Sequence, residues 1–458
     1  MSVGIDIGTT SVKAVAADEN GTVLARTRVP HRLAASHAGE LAHDASAAWY
    51  EGPRRALDDI VTTLGAPESI AAVNVSAMVP SLCAVGADGV PCSDGLLYGD
   101  ARGAGGNPAD NPSESGELVR FLASLVAEHP DAAGYWPAQA VANSALGGGG
   151  AIDSVTAMTT LPLFDFAGWD PSVAGDAGLD DVERLPRIVN GTDPLGAVAS
   201  LPGAILGPGT IDAFGEQLVA GADDLGDVLV ILGATLIVWA AVDDWLEVPG
   251  LWTVPHTAPG LTLVGGPSNA GGLFVDFVRR LTAQPAGTTS AERAIVDGID
   301  PAQVPVWLPH LRGERVPLHD PSLRATVDGL EIGMGPDAVR RGAYEASGFT
   351  IRHILDLAGV TPRRLVVTGG GSRDSDWVAA ISDVTALPCD VVAVPEGAAL
   401  GAAYLGRVAA GLEPAGQTAA RWAQVGHRVE PQDRWVPAGA ARYERYRELV
   451  DAANRKGS

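Results

Sequence analysis

Apolar and polar positions alternate strictly over the opening strand, where Val3, Ile5 and Ile7 bracket Gly4 and Asp6. A period of two predicts a β-strand. A second strand-like stretch, SVKAVAAD, follows after Gly8-Thr9-Thr10 and ends at a DENG turn, so residues 3–18 predict a hairpin. Asp is unfavourable inside a strand, and a buried carboxylate is costly unless it is paired or bound to a metal. Two readings follow for Asp6: an ordinary edge hairpin, or a carboxylate holding a metal ion beside phosphate oxygens at the Gly-Thr turn. The pattern returns about 225 residues later as DVLVILGATLIVWAAVD, again strand, Gly-x-Thr and strand ending on Asp. Two halves that each open on such a hairpin predict a duplicated plan with facing phosphate loops.

Between and after the hairpins, the patterning predicts strands within 69–89, helix within 44–65 and a long amphipathic helix over 335–359. A strand, a Gly-rich turn and a helix are expected over 363–384, and a small-residue helix suited to close packing over 397–411. Residues 103–117 read as an exposed loop and Gly147–Gly150 as a turn.

Composition narrows the class. At 458 residues, 46% hydrophobic and 19% charged, the chain is a globular protein long enough for roughly two to four domains. A formal charge of −24 argues against nucleic acid as a partner, although a local site can still receive ATP. All but two of the 31 basic residues are Arg, and one of the two lysines, Lys13, lies in the opening hairpin. Its compact ammonium suits a phosphate, or simply a solvated strand face. Cys83, Cys92 and Cys389 lack metal-ligand spacing and read as free thiols in a reducing compartment. No signal peptide is visible, and the longest apolar run, 228–242, is short and interrupted by Gly. A cytoplasmic protein without a membrane partner is therefore expected. The nine histidines show no paired spacing, and none is assigned a metal.

Several constellations could carry chemistry, each with a plainer alternative. The TGGGS turn at 368–372 offers free amides to a phosphate or an adenosine, or holds glycines for packing alone. Asp212 follows a Gly-rich turn at a helix start, as a helix cap or as a general base for a hydroxyl attacking phosphorus. Asp100 and Arg102, two apart in an extended segment, would face one side and hydrogen-bond a polyol, or form a surface ion pair. Glu314 and Arg315 pose the same choice.

Seven segments in order, GIDIGTTSVKAV, LLYGDARG, GTIDAFGEQLVAG, ILGAT, LPHLRGERVPLHDP, TGGGSRDSDW and PEGAALGAAYLG, resemble the FGGY family of carbohydrate kinases. That family lies within the sugar kinase, actin and heat-shock chaperone ATPase superfamily. The resemblance implies an α/β protein of two RNase H-like domains around a central cleft. A sugar-binding N-terminal domain would span 1–222 and a nucleotide-binding C-terminal domain 223–458. Carried over by position, Asp6 would hold Mg²⁺ through water. Gly8, Thr9, Thr10 and Lys13 would approach the outer phosphates of ATP, and Gly233 and Thr235 would form the second phosphate turn. Gly369, Gly370, Gly371 and Ser372 would lie at the adenosine, and Asp100 and Arg102 at the sugar hydroxyls. Asp212 would touch the substrate as general base. Three departures matter. Met78-Val79-Pro80 stands where xylulose kinases usually carry Gln-Met-His, so Met78 and Val79 would line an altered sugar site. Gly233-Ala234-Thr235 replaces the usual Gly-Thr-Ser, and the stretch before Asp212 looks trimmed of a helix. The resemblance thus implies ATP-dependent phosphorylation of a small sugar or polyol, a ketopentose such as xylulose first. The alternatives are another pentulose or polyol kinase, or a catalytically weak sugar- or nucleotide-binding sensor. A homodimer is allowed for, the sequence itself not naming the oligomeric state.

Overall fold

The computed structural model describes residues 1–36, 39–103, 116–283 and 298–457, with side chains of the last helix as far as Ala453. Most of the loop expected over 103–117 lies outside the described residues. The chain forms two compact units, Met1–Val219 with Glu396–Ala423, and Ala220–Pro395 with Gln424–Ser458. Where one cut at 222/223 was expected, the second half sends a segment back into the first unit.

The first unit is built on a seven-stranded sheet of β1 (Ser2–Ile7), β2 (Ser11–Ala17), β3 (Val23–Pro30), β4 (Ala72–Ala77), β5 (Gly196–Val198), β6 (Leu201–Leu206) and β7 (Thr210–Ile211). The order is β5-β6-β4-β1-β2-β3, with β7 also pairing β4. β1 and β2 form the expected antiparallel hairpin, and β1 runs parallel to β4 on its other side. Every residue of β1 is buried. On one face Val3, Ile5 and Ile7 share a core with Ala56, Leu57 and Ile60 of the helix Gly52–Leu64. On the other face lies the small-residue helix Gly397–Ala409, so close that a Cβ on Gly4 would come within 1.7 Å of the Ala399 carbonyl oxygen. The same helix touches the helix Asp212–Ala220 at Gly215, whose oxygen would lie 2.0 Å from a Cβ on Gly401. The run of Gly and Ala exists for these two approaches, and they explain why the segment belongs to the first unit. The stretch before Asp212, expected to have lost a helix, forms the antiparallel pair β5 and β6.

The second unit repeats the plan. Its sheet comprises β8 (Asp227–Leu232), β9 (Leu236–Val242), β10 (Trp252–Pro255), β11 (Thr262–Ser268), β12 (Arg364–Thr368), β13 (Cys389–Val392) and β14 (Val425–Val429), ordered β10-β11-β9-β8-β12-β13-β14. β8 and β9 form the second predicted hairpin, and β8 runs parallel to β12 as β1 does to β4. The long helix Pro336–Ala358 and the helix Ser375–Thr385 bury their apolar faces in the same core. Cys83 and Cys389 are buried, Cys92 is exposed, and all three are free thiols. No helix among the described residues is long and apolar enough to cross a membrane.

A buried ionic cluster ties the last helix, Val436–Gly457, into the second unit. Glu345 accepts from Arg341 Nε at 2.8 Å and from Arg442 Nε and Nη2 at 2.7 and 2.8 Å. Arg341 also reaches Asp383 at 2.9 Å and lies over the Trp435 ring. Burial opposes ionisation of Glu345, but the two guanidinium groups outweigh it and hold the carboxyl below its ordinary range. Removing one partner of such a cluster strands the others. Glu345→Ala is therefore expected to cost about 3–5 kcal/mol, read as a lower denaturation midpoint. Arg445→Ala, which breaks an exposed pair with Asp328, should leave that midpoint nearly unmoved.

Candidate functional site

In the first unit the register of the sheet assembles a charged cluster. Asp6 pairs across the ladder with Lys13 on one side and Ser76 on the other. Lys13 Nζ lies 3.6 Å from Asp6 Oδ2, and Ser76 Oγ lies 3.3 Å from Oδ1 and 3.2 Å from the Ala398 carbonyl. Asp6 is only 5% exposed. Burial raises its pKa, against the opposing effect of Lys13 and Ser76. The two residues of β7 pair with Ser76 and Ala77, so Asp212, one residue on, emerges at the C-terminal end of β4. Asp212 begins its helix, but its carboxylate accepts from the next amide, Ala213, at 2.7 Å rather than from the second or third. One turn further, Glu216 accepts from the Ala398 amide at 2.7 Å. Withdrawal from solvent, then Asp6 and Glu216, push the Asp212 carboxyl up to about 7. The cluster of Asp6, Lys13, Ser76, Asp212 and Glu216 thus combines a carboxyl raised to about 7 with one ammonium.

The Gly8-Thr9-Thr10 turn is fixed from behind. Gly8 N–H donates to Ser11 at 3.1 Å, and the Thr9 hydroxyl meets the Tyr98 hydroxyl at 2.8 Å. His43 Nε2 donates to the Thr9 carbonyl at 2.8 Å, while its Nδ1 accepts the Trp49 indole N–H at 3.0 Å. An indole can only donate, so Trp49 sets the tautomer of His43. Burial, with a smaller contribution from His31, lowers the pKa of His43 to about 4 and keeps the ring neutral. Sequence reasoning missed His43, Trp49 and Tyr98, because nothing in their spacing marks contacts this distant along the chain.

Asp100 and Arg102 do not lie in an extended segment. Residues 101–103 turn, and the two side chains face each other. Arg102 donates to Asp100 through Nε at 2.9 Å, Nη2 at 2.8 Å and its amide at 2.8 Å, and Leu41 N–H adds a bond at 2.6 Å. These bonds outweigh burial and hold the Asp100 carboxyl below its usual range. Met78 is packed in the apolar core at 1% exposure, and Val79 is half-buried beside it.

In the second unit, Gly233 N–H donates to Thr235 at 3.0 Å, and the amides of Gly272 and Leu273 donate to Gly233 and Ala234 at 2.9 and 3.0 Å. The turn is thereby fastened to the start of the helix Gly272–Leu281. At the TGGGS turn, Gly369 has φ +86°, and a Cβ on Gly371 would strike the Trp377 ring at 2.4 Å. Packing alone demands these two glycines, whereas Gly370 is exposed with open space beside it. Ser372 is buried and donates to the Gly369 carbonyl at 2.7 Å. Glu314 accepts from Ser268 Oγ at 2.9 Å and from the amides of Asn269 and Arg315 at 2.7 and 2.8 Å, which makes it an organiser of its loop.

Comparison with known proteins finds two family models along the chain. The model of the FGGY family of carbohydrate kinases, N-terminal domain, matches residues 1–107, and that of the C-terminal domain matches 228–410, together more than half of the chain. The chain is 27% identical over 248 residues to the xylulose kinase of Escherichia coli (strain K12), covering 50% of each. It thus spans about half the length of that curated relative. It is 24% identical over 461 residues to the erythritol kinase of Brucella abortus (strain 2308), covering 90% of this chain and 88% of the relative. The crystal structure of xylulose kinase from Rhodospirillum rubrum shares the fold, with a TM-score of 0.80 at 24% identity over 98% of each chain.

The depressed pKa of His43 makes a stability prediction. Below about pH 6.5 the unfolded chain protonates this ring, whereas the folded chain does so only near 4. Stability is therefore lost as pH falls across that window, by about 1.4 kcal/mol per pH unit for this group. Denaturant titrations from pH 7.5 to 4 should show a slope shallower by one proton in His43→Gln than in the wild type.

Proposed function

We propose that this chain, which belongs to the FGGY family of carbohydrate kinases, transfers the terminal phosphoryl group of ATP to a hydroxyl of a small sugar or polyol. The observation that carries this reading is Asp212, a carboxylate poised near pH 7 at a strand end beside Asp6 and Lys13. A base for a hydroxyl works best with its pKa near the working pH. Phosphoryl transfer asks the protein for position and charge balance more than for covalent chemistry.

Asp212 would accept the hydroxyl proton as the oxygen attacks phosphorus. Lys13 and the amides and hydroxyls of Gly8, Thr9 and Thr10 would meet the outer phosphates, and Gly233 and Thr235 would form a second phosphate turn. Gly369, Gly370, Gly371 and Ser372 would border the adenosine. Asp6 is a buried carboxylate beside Ser76 and Lys13. A carboxylate oxygen donor of this kind fits Mg²⁺, a hard cation that takes one or two carboxylates from a protein. Bound there, the ion would neutralise charge on the phosphate oxygens. Asp100 and Arg102 would contact the sugar as one clamped pair. Met78, enclosed in the core, would shape the site from behind, and Val79 would lie nearer the ligand.

Relatives named for xylulose and erythritol both act on short polyhydroxylated chains, and the E. coli relative favours a ketopentose such as xylulose. A panel of ketopentoses, hexuloses, tetritols, pentitols, glycerol and aldonates is tested for ADP release with Mg-ATP. One compound should raise turnover well above background. Uniform background with ATP bound would instead support a binding protein without efficient transfer, the reading that Met78-Val79 favours. For the active compound, kcat/KM should rise with pH and level off above an apparent pKa near 7, as Asp212 loses its proton. Asp212→Asn should lower kcat about 10²- to 10⁴-fold with ATP binding spared. Undiminished turnover in that variant would remove Asp212 from the mechanism.

A further inference from the structure

We propose that Asn74, Gln139 and Asn143 are positioning residues, three buried amides that grip the Pro208–Gly209 peptide and thereby aim Asp212. The inference rests on the reading of Asp212 as the base.

Both polar groups of this one peptide are held by side chains from other elements. The Pro208 carbonyl accepts from Gln139 Nε2 at 2.7 Å and from Asn143 Nδ2 at 2.8 Å. The Gly209 N–H donates to Asn74 Oδ1 at 2.7 Å. Asn74 comes from β4, while Gln139 and Asn143 occupy one face of the helix Ala138–Ala145, four residues apart. All three are at most 1% exposed. Gly209 has φ +98°, and a Cβ there would lie 2.1 Å from Gln139 Nε2, so the backbone is drawn against the amide as far as a glycine allows.

The grip is itself anchored. Gln139 Nε2 also donates to Asp153 Oδ1 at 3.1 Å, and its oxygen accepts from the Thr156 hydroxyl. Asp153 in turn caps the helix Ser154–Met158 through the amides of Val155 and Thr156. Asn143 Nδ2 donates as well to Ala151 at 2.9 Å. From the held peptide the chain runs without slack: Thr210 and Ile211 enter the ladder opposite Ser76 and Ala77, and Asp212 follows. Ser76 is the residue bonded to Asp6, so the loop and the charged cluster share one register.

These amides do more than satisfy a buried peptide. Asn74 Nδ2 and Asn143 Oδ1 are buried without a hydrogen-bond partner. A buried polar atom left unsatisfied costs more than a satisfied bond returns. Apolar side chains of the same volume would leave the Pro208 carbonyl and the Gly209 N–H without partners and could not fix the direction of a peptide plane. Orientation is what a base needs, since a displacement of about 1 Å at a reacting group can cost 10²-fold.

The test uses the full chain with its best acceptor from the substrate panel. Gln139→Met keeps the volume but removes both donors, and it should lower kcat about 10- to 100-fold while the KM for ATP stays within about twofold. Gln139→Lys can still donate to Pro208 and Asp153, and it should restore kcat to within a few-fold of wild type. Phe121→Leu, in a separate apolar cluster of the same unit, supplies a destabilised control that should keep its kcat. If Gln139→Met does not fold, Asn143→Leu removes the other donor to Pro208 and carries the same comparison. A variant that melts earlier but retains wild-type kcat would overturn the proposal and reduce the amides to scaffolding. Asp212→Asn is measured alongside: normal turnover there overturns the proposal through its premise, a failure distinct from an inert Gln139.

Discussion

Everything in the first unit depends on how closely one helix can approach one strand. The helix Gly397–Ala409 reaches β1 only because position 4 has no side chain, the Ala399 oxygen occupying the place a Cβ would take. Its near end then does three things at once. The Ala398 carbonyl receives Ser76, the Ala398 amide meets Glu216, and Gly401 seats the helix that begins with Asp212. Asp6 is buried beneath the same helix, with Lys13 and Ser76 as its hydrogen-bonding and ionic neighbours. A larger residue at Gly4 would move the helix, and with it the groups that set the charge of both aspartates. Packing is therefore upstream of electrostatics here: the neighbours that raise the Asp212 carboxyl are set by a close backbone approach on the face of β1 that carries Gly4 and Asp6.

The parts of this arrangement differ in how far the amino-acid sequence discloses them. Both hairpins are legible because alternation has a period that no other element shares, and the Asp6–Lys13 neighbour pair follows from hairpin register alone. The long helix Pro336–Ala358 is legible for the corresponding reason at a period of 3.6. The return of Glu396–Ala423 to the first unit is not, since a run of Gly and Ala announces a close approach without naming its partner. Nor is the β5–β6 pair, whose Gly and Pro residues suppress any strand pattern. Asp212 stands out at a helix start, and helical spacing places its i+4 neighbour Glu216 on the same face. Gln139 and Asn143 carried the same signal, two amides four apart in an otherwise small and apolar helix, AQAVANSA. Polar side chains at core positions need partners, and only the fold shows that the partner is a single peptide.

The Asp100–Arg102 pair shows why residue spacing alone does not fix how two side chains face each other. An extended segment would have offered a carboxylate and a guanidinium side by side to a ligand. The observed turn folds them onto each other, and Asp100 receives four donors within its own unit. A carboxylate so occupied has little capacity left to accept from a hydroxyl, whereas Arg102 retains Nη1 and one hydrogen of Nη2 beyond its two bonds to Asp100. On the proposed reading, the pair therefore presents donors held in a fixed plane. It would recognise oxygens of the acceptor as acceptors, a ketose carbonyl among them, and would discriminate weakly between hydroxyl groups by their protons. Asp212 has the complementary character, a carboxylate held by one neighbouring amide and coupled to two like charges. A substrate meeting both would be bound through its oxygen lone pairs at Arg102 and deprotonated at Asp212. The division follows from which carboxylate the fold has already satisfied and which it has left poised to take a proton.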